Sequence, residues 1–99
     1  MVDLLLSVRD TQKGRLVSVC DANLVGETFE EGELSLTVNP EFYDGEPADE
    51  QTIVENLAWC TTANIVGSDA VELALEHEFV EESNVLEIDG TRHAQLLWM

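Results

Sequence analysis

The sequence predicts an α+β domain: a mixed or antiparallel sheet of about five strands, with two helices on one of its faces. Three observations carry this. Apolar runs of strand character occupy both halves of the chain. Two stretches with apolar residues at helical spacing lie between positions 48 and 79. The length, 99 residues, corresponds to a single domain over residues 1–99, able to bury one core without disulfides or metal.

Residues 3–8 (DLLLSV) and 16–20 (LVSVC) read as strands. The polar segment between them, which contains Arg9, Lys13 and Arg15, reads as a hairpin-like loop. Residues 27–32 suit a short edge strand. In 33–38, Leu34, Leu36 and Val38 alternate with Glu33, Ser35 and Thr37, so one face is apolar. Asn39-Pro40 ends that strand, and 39–47 reads as a loop carrying Phe42 and Tyr43. Pro47 stands where a first-turn proline belongs, with Asp49 and Glu50 at the positive end of a helix over about 48–60. Ile53, Val54 and Leu57 share its apolar face. Ser68 reads as the N-cap of a second helix, about 69–79. The strands 85–88 and 91–98 flank Asp89-Gly90, a type I′ hairpin signal.

The charge is lopsided: 21 acids against 4 bases, net −17. The acids are spread between apolar residues instead of forming a tail, which argues for a folded chain. Carboxylate repulsion at this density is relieved by molar salt, where the Debye length is about 3 Å. The composition therefore reads as a cytoplasmic protein of a salt-in halophile, with an ordinary acidic protein or a nucleic-acid mimic as alternatives. No apolar run reaches the roughly 18 residues of a membrane span, and the start lacks the basic region of a signal peptide.

One internal echo stands out. Ala22-Asn23-Leu24-Val25-Gly26 matches Ala63-Asn64-Ile65-Val66-Gly67. The shared reading is a turn built by asparagine and a glycine of positive φ; coincidence is the alternative. These motifs, with Phe29, Glu31-Gly32, Phe42-Tyr43, Gly45, the Ala70–Ala74 helix and Gly90 followed by His93-Ala94-Gln95, resemble a small archaeal family catalogued as domain of unknown function four-two-four. The acid excess suggests a haloarchaeal member. The resemblance implies a compact archaeal cytoplasmic protein and supplies no reaction and no catalytic residues.

Candidate chemistry is sparse. Cys20, Cys60, His77 and His93 are the soft ligands, and none has paired metal spacing; buried thiols and surface imidazoles are the expectation. No nucleophile elbow or phosphate loop is present. Asp21, Glu27 and Asp69 would form an oxygen-ligand site if the two Asn motifs met. Asn23 and Asn64 read as amides presented for contact or as turn formers. Phe42 and Tyr43 read as a base-stacking pair or as a loop closed onto the core. Trp59 and Trp98 read as core or core-edge residues. Three of the four bases, Arg9, Lys13 and Arg15, stand together, and Arg92 would join them if the last strand lay beside the first hairpin. The expectation is a binding protein with no catalytic residue and no cofactor, contacting RNA or the ribosome through these bases. A protein-only adaptor using the aromatic loop and a metal-assisted enzyme using the Asn and carboxylate motifs are the alternatives.

Overall fold

The computed structural model describes residues 3–97. Strands β1 (Leu4–Thr11) and β2 (Gly14–Asp21) form a tight hairpin. A short 3-10 turn, Ala22–Leu24, leads to a second hairpin, β3 (Thr28–Glu31) and β4 (Leu34–Thr37). Then follow a one-turn helix α1 (Pro40–Tyr43), the two-residue strand β5 (Glu46–Pro47), helix α2 (Glu50–Trp59) and strand β6 (Thr62–Val66). Helix α3 (Ser68–Glu76), a 3-10 turn at Glu82–Asn84, and strands β7 (Leu86–Ile88) and β8 (Thr91–Leu97) complete the described chain. No helix among the described residues is long and apolar enough to cross a membrane.

The main sheet is mixed, with six strands in the order β5-β1-β2-β6-β8-β7. Only the β2–β6 pairing is parallel; all others are antiparallel. The hairpin β3–β4 forms its own two-stranded sheet. Alternation divides the main sheet into two faces. On one, Val17, Val19, Ala63, Ile65, Ala94 and Leu96 meet Ile53 and Leu57 of α2 and Ala70, Val71 and Ala74 of α3. On the other, Leu5, Cys20 and Val66 pack with Val38 and Tyr43. The fold class and the placement of both longer helices on one face agree with the sequence.

Five local expectations are corrected. The 9–15 segment is no open loop, because β1 runs on to Thr11 and β2 starts at Gly14, leaving Gln12 and Lys13 as a two-residue turn. Pro47 does not start α2. It lies in β5 opposite Leu5, at the sheet edge where a residue lacking an N–H is tolerated. Asp49 caps α2 instead, its Oδ1 accepting from the Thr52 N–H at 2.8 Å. Hydrogen bonding from the Thr52 side chain and then its N–H holds the Asp49 carboxyl below its usual range. Asn39 begins a turn of helix, its side chain accepting from the Glu41 N–H at 2.9 Å. Finally, 63–67 is no turn: Ala63–Val66 belong to β6, an inner strand, while Ala22–Leu24 are a 3-10 turn. The echo therefore has no shared backbone path, although Gly26 and Gly67 both have positive φ, 88° and 110°.

Ser68 is not the cap of α3 either. Its N-terminus is closed by Asp21 at the end of β2, whose carboxylate accepts from the N–H groups of Asp69 (3.3 Å) and Ala70 (3.0 Å). Burial pushes the Asp21 carboxyl up, and the two hydrogen bonds oppose that shift. The same carboxylate fills the space that a side chain on Gly67 would need.

Candidate functional site

The predicted basic cluster is split by the register of the first hairpin. Arg9 lies opposite Leu16, and Asp10 opposite Arg15, so Arg9 and Arg15 project from opposite faces. Arg9 stacks over the exposed Phe42 ring, its guanidinium carbon 5.0 Å from the ring centre, and Nη2 donates to the Glu41 carbonyl at 2.6 Å. Arg15 Nε donates to Asp10 Oδ1 at 3.3 Å; both side chains are exposed, so the pair is weak and exchangeable. Among the described residues, the Lys13 ammonium has neither a hydrogen-bond nor an ion-pair partner.

Lys13 and Arg15 meet again at the hairpin tip. A shallow cleft of about 200 Å³ is lined by Thr11, Lys13, Gly14, Arg15, Leu16, Thr61 and Thr62. Its wall is built by the junction of α2 and β6. The Arg15 N–H donates to Thr61 Oγ1 at 3.2 Å, and the Thr61 N–H donates to the Arg15 carbonyl at 2.9 Å. Gly14, at φ 121°, lies against the Thr61 side chain, where a Cβ would collide. Two basic residues and three threonines thus line one opening, with the Thr11 hydroxyl donating to the Gly14 carbonyl at 2.8 Å. Trp59, 78% exposed, is two residues before Thr61, so their Cα atoms lie within about 7 Å.

The remaining candidates are scattered. Arg92 does not join the hairpin: β8 is separated from β2 by β6, and Arg92 Nη2 pairs with Glu82 Oε1 at 2.8 Å. Asn23 is exposed in the 3-10 turn, whereas Asn64 lies in mid-strand and its Oδ1 accepts from Gln95 Nε2 at 3.0 Å. The two amides share no element. Phe42 is exposed beside Arg9 while Tyr43 is buried, so the aromatic pair divides between surface and core. Trp59 is not a core residue, and Trp98 lies outside the described residues.

Asp21 and Asp69 do come together, but as a helix cap, with the Asp21 oxygens directed at backbone N–H groups. Cys20 and Cys60 are buried in different clusters and form no disulfide. Burial, with help from Asp21 and Asp44, pushes the Cys20 thiol to about 11, which makes it a poor nucleophile at neutral pH. Half-buried His93 is held below the usual imidazole range by desolvation. His77 Nε2 lies 2.8 Å from Glu50 Oε2, and with Glu76 their ligand atoms all fall within 4.8 Å of one another. This exposed trio joins the start of α2, where Glu50 complements the helix dipole, to the end of α3.

Sequence reasoning missed Thr61, Thr62 and Trp59 as neighbours of the basic tip. They precede or open β6, an unrecognised strand whose parallel pairing places Thr62 opposite Leu16.

Fold and site together define a small α+β protein, built on a six-stranded sheet and a separate two-stranded hairpin, with a cationic hairpin tip on an otherwise acidic body. The chain belongs to the family described as "Protein of unknown function (DUF424)", whose model matches residues 8–99. A crystal structure of an uncharacterized conserved protein from Methanopyrus kandleri is similar in fold, with a TM-score of 0.77 and 21% identity over 97% of this chain and 94% of that one. No curated protein matches the chain.

Proposed function

We propose that the protein is a small binding protein that contacts RNA, free or in the ribosome, through the tip of the β1–β2 hairpin. The supporting observation is the cleft lined by Lys13, Arg15 and the threonines Thr11, Thr61 and Thr62. The side chains of Lys13 and Arg15, the latter in a weak exposed pair with Asp10, and the hydroxyls of Thr61 and Thr62 are donors of the kind that phosphate oxygens accept. A net charge of −17 opposes any diffuse attraction to a polyanion. Binding then depends on local geometry, and its salt dependence is shallow because few phosphates are neutralised. Exposed Trp59 and the Arg9–Phe42 stack add flat surfaces on which unpaired bases can lie.

The test is co-sedimentation with ribosomes or total RNA at molar KCl, comparing the wild type with the triple variant Arg9→Ser, Lys13→Ser, Arg15→Ser. Association lost with folding unchanged supports the reading. A wild type that never associates with RNA overturns it. Two exposed aromatics, Trp59 and Phe42, favour a protein-only adaptor as the second reading. That reading is supported if one defined protein, and no RNA, is retained by the wild type and lost on Trp59→Ala.

A further inference from the structure

The two edges of the main sheet are unequally guarded. On the first, β5 covers only Leu5 and Leu6 of β1. Beyond it the outward backbone groups belong, by alternation, to Val8 and Asp10. Charged Arg9 and Asp10 stand on this strand, and charge is the usual protection of an open edge. On the second edge, β7 covers only Thr91–His93 of β8. Residues Ala94–Leu97 continue the strand with β6 on one side and, among the described residues, no strand on the other. The Gly67 N–H donates to the Arg92 carbonyl, so Arg92, Ala94 and Leu96 turn their backbone groups toward β6. Gln95 and Leu97 turn theirs outward, and no strand among the described residues pairs with them.

This open segment carries no charge. Residues 94–97 read Ala-Gln-Leu-Leu, and no carboxylate occurs from 90 to 97, in a chain with 21 acids. Leu97 is 62% exposed, and Leu86, at the end of β7, is 56% exposed. A depression of about 230 Å³, lined by Asn84, Leu86, His93, Ala94 and Gln95, marks the step where β7 stops. An uncharged, partly apolar strand edge is a template for another strand.

We propose that the free edge of β8 pairs with the same edge of a second copy of this chain. The occupant follows from charge and symmetry. A neutral edge is matched by another neutral edge, and two outward residues spaced by two are self-complementary about a two-fold axis. With Leu96 facing the partner's Leu96 across the axis, Gln95 lies opposite the partner's Leu97 and Leu97 opposite the partner's Gln95. Each pair exchanges two backbone hydrogen bonds, and the two six-stranded sheets become continuous. The acidic bodies repel at low ionic strength, so pairing strengthens with salt.

The experiment is sedimentation equilibrium in molar KCl across a concentration series, on the wild type, Leu97→Asp and Gln95→Pro. Leu97→Asp places a charge on the edge. Gln95→Pro removes an outward N–H that no internal ladder bond uses. The expected result is a wild-type mass rising to twice 11.0 kDa while both variants stay at 11.0 kDa with unchanged circular dichroism. Amide exchange at Gln95 and Leu97 slows in step with the wild-type dimer. A wild type that remains at 11.0 kDa overturns the proposal, as does a dimer that survives both substitutions.

Discussion

Asp21 and Gly67 form one device at the residue scale. The carboxylate that closes α3 occupies the volume beside the glycine, whose φ is 110°. Gly67→Ala therefore combines backbone strain with displacement of the cap, and a loss above about 2 kcal/mol is expected in urea denaturation. Gly26, at φ 88°, has open space around it, so Gly26→Ala costs only the strain, about 1 kcal/mol. Equal losses at the two sites would contradict this. Asp21 itself carries a pH dependence. Its folded carboxyl titrates above the unfolded value of 3.8, so the folded state holds the proton more tightly. Stability from this group is then fully present below the unfolded value and declines as pH rises through the folded one. Asp21→Asn keeps an acceptor for the cap and should flatten that decline. Asp21→Ala should cost about 1–2 kcal/mol at neutral pH. Thermal melts from acid to neutral pH separate the two variants.

Among the elements, α2 and β6 show how far the sequence was legible. The apolar face of α2 follows from Ile53 and Leu57, and both are fully buried. Trp59, expected in the core or at its edge, stands in the last turn of α2 and is largely exposed. Trp59→Ala is accordingly expected to change stability by less than about 0.5 kcal/mol, whereas Leu57→Ala should cost about 2–5 kcal/mol. Chemical denaturation of the two variants is sufficient to check this. The hairpin at Asp89-Gly90 was readable from two residues, and both have positive φ, 50° and 80°. Strand β6 was not, because its alternation covers only Thr62 to Ile65, too short to stand out, and its likeness to the 22–26 segment pointed to a turn. That omission hid the candidate site as well: the bases were visible, but Thr61 and Thr62 arrive beside them only through the pairing of Leu16 with Thr62.

For the whole molecule, charge decides the conditions of folding. With 21 acids and 4 bases on one small body, the compact state concentrates like charge that the unfolded chain disperses. Cooperative folding should therefore strengthen as KCl rises from about 0.1 M to about 3 M, read by far-ultraviolet circular dichroism. A signal that is fully folded and equally stable at the lowest salt would show that the carboxylates are spaced widely enough to be harmless. Hydrophobic burial is not the weak point, since the two apolar clusters fill both sides of the sheet's centre.

The single parallel pairing also has a consequence during synthesis. Leu16 of β2 must wait for Thr62 of β6, 46 residues later in the chain. At about 5–20 residues per second, that delay is roughly 2–9 s. In this interval the β1–β2 hairpin can close within microseconds, but the inner edge of β2 has no strand partner. The nascent hairpin is thus an unfinished sheet with a sticky flank. The many carboxylates translated between β2 and β6 serve as a repulsive sheath against neighbouring chains until β6 arrives and the flank is sealed.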